Sequence, residues 1–442
     1  MRSALPLLLS LAASAATLSS LGVQIPIQQY KLPNGLRVVI SEDRSAPTYS
    51  ICVTYNVGSH NERPGRTGFA HLFEHMMFQG SEHVGKGEHS LLVENNGGSL
   101  NGTTNENRTN YFESFPSNQL DLGLYLEADR MRSLAVNQAN LDNQRNAVEE
   151  ERRLSIDNQP YGETSEVLQA TAYDNFANKH SVIGSMEDLN AAKVEDVKEF
   201  FRVYYAPNNA VLVLVGDVKA ADAFGRVKKY FGEIPAQPAP PPTDLTEPEQ
   251  TAERRKTLED KFAQSPRISI AFKVPPGNTP DWDAASLLSN VLAGGQSSRL
   301  YQTLVKDKEA AINVFSYVEE SRGPSLFILT ITARPGKDLG EIEKLVYAEI
   351  SRLQNEPIAD WELEKVRMTS KRRNAQHLEG TQFRAELIGQ LAVYYGDPNL
   401  INTRFAKLQS VNKDDIQRVA RKYLNASQRT VVVTLPKAGD TK

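Results

Sequence analysis

One short stretch, Phe69-Ala70-His71-Leu72-Phe73-Glu74-His75-Met76-Met77, holds three side chains that can do chemistry together. On a helix, His71 and His75 are four residues apart and face the same way, so both imidazoles can close on one metal ion. Glu74 follows His71 by three residues and shares that face. The spacing supplies two nitrogen ligands and a carboxylate able to take a proton from a water activated by the ion. This is the equipment of a zinc-dependent hydrolase. A histidine pair on a helix can equally be a solvated surface pair, so the rest of the chain has to decide.

The flanking sequence predicts how the stretch is held. Tyr30 to Ile40 reads as strand, Asn34-Gly35 turn and strand, and Tyr49 to Val57 as another strand. A polar loop with Pro64 spans Gly58 to Gly65, and Thr67 is placed to cap a helix running to about Gly80. Residues 81–98 are polar and Gly-rich, with a short helical middle from Ser90 to Asn95; His83 and His89 lie there in loop-like context and are not expected as ligands. Gly97 to Asn105 and Thr109 to Phe115 read as two strands joined by a turn at Asn105 to Arg108. The first is poor in large side chains, as suits an edge strand approached by another backbone, and an extended peptide could add there by strand pairing. Leu120 to Leu134 and Asn140 to Ile156 read as helices. The second contains Glu149-Glu150-Glu151, whose side chains point about 100° apart, so only one can face a given site. Ala147 and Val148 mark the buried side, and Glu151, three residues beyond Val148, falls nearest it. Glu151 is therefore the best candidate for a third, carboxylate ligand.

At 442 residues the chain has room for two or three domains. Net charge is −4 with no basic block, which argues against nucleic acid as a partner. Residues 1–22 read as a secretory signal: Arg2 is the charged start, Leu5 to Ala16 a short apolar run, and Ala13-Ser14-Ala15 a cleavage site. The run is too short to span a bilayer, so export to a periplasm is expected, with no transmembrane segment. Cys52 is the one cysteine, which excludes an intrachain disulfide; its apolar strand context marks it as a core residue. The stretch 236–262 opens with Pro238, Pro240, Pro241, Pro242 and Pro248 and reads as a semi-rigid linker. It divides residues 23–235 from residues 263–442. The second part repeats the first: Val194 through Tyr205 and Ala210 to Val215 parallel Asn412 through Tyr423 and Thr430 to Leu435, as helix, tyrosine, polar turn and apolar strand. The expected fold is α+β, two similar domains, each a mainly antiparallel sheet packed with helices. The second has no H-x-x-E-H.

The chain resembles the zinc peptidases of the pitrilysin, insulysin and mitochondrial processing peptidase family, the inverzincins, over about residues 27–436. The likeness rests on the His71 to His75 helix; on Gly97-Gly98 through Asn101-Gly102-Thr103-Thr104 with Thr109-Asn110-Tyr111; on Arg145 to Val148 followed by Glu151; on Tyr205 to Asn209 leading to Gly216-Asp217; and on Gly295 to Leu300. It implies one zinc held by His71, His75 and Glu151, with Glu74 as general base in peptide hydrolysis. It also implies that Asn101, Gly102 and Thr103 form a substrate-pairing edge strand. Gln144 stands where many relatives carry a glutamate that supports the ligands. Relatives enclose peptides in a chamber built from two such units, so a chain of this length implies a partner. Active relatives also carry an arginine and a tyrosine in the second domain. The matching stretch, Leu304 to Val314, has Val305 or Lys306 and Ile312 or Asn313 at those places. That departure implies a heterodimer whose other chain supplies the pair; a homodimer, or a non-catalytic subunit of the same fold, are the alternatives.

Overall fold

The computed structural model describes residues 24–437; the signal-like segment lies outside them. Residues 28–216 build a six-stranded sheet from β1 (Gln28–Lys31), β2 (Arg37–Glu42), β3 (Thr48–Tyr55), β4 (Ser99–Thr104), β5 (Thr109–Pro116) and β6 (Ala210–Gly216), in the order β1-β2-β6-β3-β5-β4. Residues 254–436 build a five-stranded sheet from β7 (Arg254–Asp260), β8 (Arg267–Val274), β9 (Ala311–Val318), β10 (Ser325–Ala333) and β11 (Arg429–Pro436), in the order β7-β11-β8-β10-β9. Without β1 the two orders correspond strand for strand. In each sheet one parallel pair, β2 with β6 and β7 with β11, interrupts otherwise antiparallel pairing. The fold is thus the α+β pair of similar sheet-and-helix units expected from the repeat.

The apolar runs of the central strands follow from burial on both faces. Every residue of β6, Ala-Val-Leu-Val-Leu-Val-Gly, is buried. Four helices matter to the site and its support: α1 (Phe69–Met76), α2 (Gln138–Arg152), α3 (Gly162–Ala172) and α4 (Thr381–Tyr395). On one face of the first sheet, Val38, Ile40, Ile51 and Val53 pack with Phe69 and Phe73 of α1 and Val148 of α2. On the other face, Val39, Cys52, Val211, Val213 and Val215 pack against Ala385, Ile388, Leu391 and Ala392 of α4, a helix from the second half. The exchange is reciprocal, because Leu168 and Ala172 of α3 cover Ala271, Leu326, Ile328 and Val432 of the second sheet. Cys52 is buried in the first of these contacts, and burial pushes its thiol up to about 12.

One boundary differs from the sequence reading. Arg254–Asp260, expected within the linker, is β7, the edge strand of the second sheet. Its sequence, Arg-Arg-Lys-Thr-Leu-Glu-Asp, is mostly solvated, so it carries no apolar alternation to announce a strand. The Pro-rich stretch before it is pinned to the first half. Thr243 Oγ1 accepts from Asn61 (3.0 Å), the Leu245 carbonyl accepts from Asn178 (3.1 Å), and the Glu247 carboxylate accepts from the backbone N–H of Asp174 and Asn175 (both 3.0 Å).

Candidate metal centre and its surroundings

The start of α1 is set by distant residues. Gly68 takes a left-handed conformation (φ 83°), and a Cβ there would lie 2.5 Å from the Ile183 carbonyl oxygen, so glycine is required. The fully buried Glu62 carboxylate accepts from the N–H of Gly68 (2.9 Å) and of Ala70 (2.7 Å), and His180 Nε2 donates to it (2.9 Å). Glu62 therefore does the capping expected of Thr67. The left-handed turn at Gly68 carries the Thr67 hydroxyl away from the helix axis, and it donates to Asp188 instead (2.5 Å). The helix is also shorter than expected, ending at Met76. Phe69, Ala70, Leu72, Phe73 and Met76 form its buried face, which leaves His71, Glu74 and His75 together on the other.

α2 brings Glu151 to that face. Its Oε2 lies 3.6 Å from His71 Nε2 and 3.2 Å from His75 Nε2. The three donor atoms all fall within 4.8 Å of one another, the one such cluster of histidine, cysteine and carboxylate among the described residues. Of the three consecutive glutamates, Glu149 and Glu150 bond Arg153 and only Glu151 meets the histidines. Burial, with His75 alongside, pulls the His71 imidazole down to about 4 against the opposing pull of Glu151, so it is neutral at pH 7. A hydrogen bond from His75 holds the Glu151 carboxyl below its usual range. Two imidazole nitrogens beside a carboxylate form a donor set that fits zinc. His71 Nδ1 is buried without a partner. Gln144, which stands where relatives carry a supporting glutamate, donates to Asn143 Oδ1 (2.6 Å) and to none of the three. His83 pairs with Asp129 (2.7 Å) and the buried His89 with Glu113 (2.5 Å), and neither joins the cluster.

Beside the cluster runs β4, the outer strand of the first sheet. Glu74 Oε2 accepts from the Thr104 hydroxyl (2.6 Å), and burial raises the Glu74 carboxyl above its usual range. A Cβ on Gly102 would lie 3.0 Å from Glu74 Cγ and 3.2 Å from the Tyr111 ring, so the missing side chain lets strand and helix close up. The three residues expected to meet substrate divide. Gly102 faces Glu74. Asn101 is exposed, and its Oδ1 accepts from Gly102 N–H (2.8 Å). Thr103 is turned to Asn110 (2.6 Å) and Arg108 (2.5 Å). Sequence reasoning missed Thr104, Glu62 and His180. Thr104 could have been found from the strand period, since it lies two residues past Gly102 and so on the same face. Glu62 and His180 are 118 residues apart and gave no local signal. In the second half, β9 is an outer strand, Ile312 on it is 50% exposed, and neither an arginine nor a tyrosine occupies 304–314. No helix of the described residues is long and apolar enough to cross a membrane.

Residues 37–185 match the family model described as insulinase (peptidase family M16), and residues 191–370 match the peptidase M16 inactive domain. The chain is 29% identical to the zinc protease PqqE of Helicobacter pylori over 433 residues, covering 96% of this chain and 97% of that protein. The crystal structure of a protease from Helicobacter pylori superimposes with a TM-score of 0.89 at 29% identity, over 93% of this chain and all of that one. The periplasmic protease PqqL of Escherichia coli shares the fold (TM-score 0.77, 16% identity); the match covers 94% of this chain but 48% of PqqL.

Proposed function

The chain belongs to the insulinase family, peptidase family M16, and on that premise we propose that it is a zinc-dependent endopeptidase acting on peptides or unfolded polypeptides. The observation that carries this reading is the convergence of His71, His75 and Glu151 beside the half-buried Glu74 carboxylate on an open sheet edge. His71, His75 and Glu151 would hold the ion. Zinc, when bound, polarises a scissile carbonyl and makes water nucleophilic near neutral pH. Glu74 takes the proton of the attacking water and returns it to the leaving amine. Burial raises its pKa above the ordinary carboxylate range, the direction that helps it keep and return the proton. A peptide pairs along β4, where Gly102 offers backbone close to Glu74 and the Asn101 amide exchanges its bond to Gly102 N–H for one to substrate.

The catalytic unit in this reading is residues 23–235 and its repeat begins at β7. The whole chain spans about half of PqqL, which supports a second unit supplied by another chain. The absence of an arginine and tyrosine from 304–314 favours a heterodimer over a homodimer. The N-terminal sequence, Arg2 with Leu5 to Ala16, supports export to the periplasm. The same absence favours one other reading, a non-catalytic subunit.

The test is the zinc content of the purified mature chain, with peptide cleavage measured alone and with the chain that co-purifies with it. About one zinc per chain, and cleavage that a chelator abolishes and zinc restores, is the expected result. Bound zinc with no cleavage in the complete assembly would leave the non-catalytic reading standing.

A further inference from the structure

The turn that joins β4 to β5 is gripped from the second half. The Tyr394 hydroxyl, on α4, bonds the Asn105 side chain (2.9 Å). In the turn between β9 and β10, Arg322 N–H donates to the fully buried Asn107 (3.1 Å), and Arg322 Nη1 donates to Asn56 (2.7 Å). The same turn is tied to the loop before α1, because Ser59 N–H donates to the Asn105 carbonyl (3.2 Å) and His60 N–H to that of Glu106 (2.9 Å). Thr104 immediately precedes the turn, and its hydroxyl holds Glu74 Oε2.

We propose that the second half positions the carboxylate of Glu74: Tyr394 and Arg322 fix the β4–β5 turn, the turn fixes Thr104, and the Thr104 hydroxyl fixes Glu74. The inference rests on reading Glu74 as the base. Rotation about the last torsion of a glutamate is soft, so a carboxylate without a second anchor samples orientations in which neither oxygen meets the attacking water. With Oε2 tied to Thr104, Oε1 is left for the proton. Misplacement by about 1 Å at a reacting centre costs on the order of 100-fold in rate, so a hydroxyl 2.6 Å away is a strong lever. The second half would then act on the reaction through backbone geometry. Thr104, Tyr394 and Arg322 are positioning residues, since none is placed to touch substrate in this account.

The experiment compares Thr104→Val, Thr104→Ser and Tyr394→Phe with the wild type, each as the full chain in its complete assembly. Crystal structures of the two Thr104 variants, and amide exchange across residues 99–116 and 325–333, are read beside kcat and KM. Thr104→Val should lower kcat about tenfold or more with KM and zinc content held, and should release the Glu74 carboxylate. Thr104→Ser should restore both. Tyr394→Phe should lower kcat in the same direction and speed exchange in 99–116 while 325–333 stays as in the wild type. A Glu74 carboxylate unmoved in Thr104→Val, or a serine variant as impaired as valine, overturns the part played by the hydroxyl. Unchanged exchange in Tyr394→Phe overturns the part played by the second half. If the wild type shows no zinc-dependent cleavage, the reading of Glu74 as base fails, and the crystal structures and exchange still decide whether Glu74 is held in this way.

Discussion

At Gly102 the edge strand and α1 approach so closely that one added carbon meets Glu74. Gly102→Val should therefore displace the carboxylate and lower kcat by about tenfold or more, without loss of zinc, as measured by steady-state peptide cleavage and metal analysis on one sample. A kcat equal to wild type would show that the contact has slack. His71, Glu74 and His75 were legible from spacing alone, because a helix converts intervals of three and four into a common face. Glu151 was legible as one of three glutamates for the same reason. Thr104 and Glu62 were not, because each acts across a contact that exists only once strand, loop and helix have been brought together. The resemblance placed Gln144 at a supporting position, yet it bonds its own neighbour, Asn143.

The first turn of α1 depends on a buried acceptor from outside the helix. Glu62→Ala would leave two helix N–H groups and His180 without their partner. The loss should be about 3 kcal/mol or more, since unsatisfied buried groups cost about 1–3 kcal/mol and charged ones more. Urea unfolding of the metal-free protein measures it. Because the same turn leads directly into His71, zinc affinity by chelator competition should weaken in parallel. Stability lost with zinc affinity intact would mean that the cap supports the fold without ordering the ligands. The sequence announced this helix but misplaced its cap, since the left-handed conformation of Gly68 shifts Thr67 out of reach. The strand β7 went unseen because a charged outer strand has no apolar face to display.

The two halves hold each other by exchanging α3 and α4. The Arg384 side chain of α4, 7% exposed, donates to Asp43 beyond β2 (2.5 Å). Hydrogen bonds from Arg384 and then Ser45 hold the Asp43 carboxyl down at about 2. A folded pKa below the unfolded value of about 3.9 stabilises the protein above that value, and the contribution fades as pH falls from about 4 through 2. Asp43→Asn should lower the urea midpoint at pH 7 and flatten its fall between about pH 4 and 2; an unchanged midpoint would show that apolar packing alone seats α4. The repeat of the two units was visible in the sequence, but the exchange was not, because α4 is apolar on several sides and its pattern does not say which sheet it covers. The most direct measurement on the whole molecule compares wild type with Glu74→Gln, each purified with its second unit, for cleavage of an unstructured peptide with zinc counted in the same samples. About one zinc per chain in both, and at least about 100-fold slower cleavage by the variant, is the expected result. Equal cleavage by the two, or a wild type that cleaves without binding zinc, would contradict it.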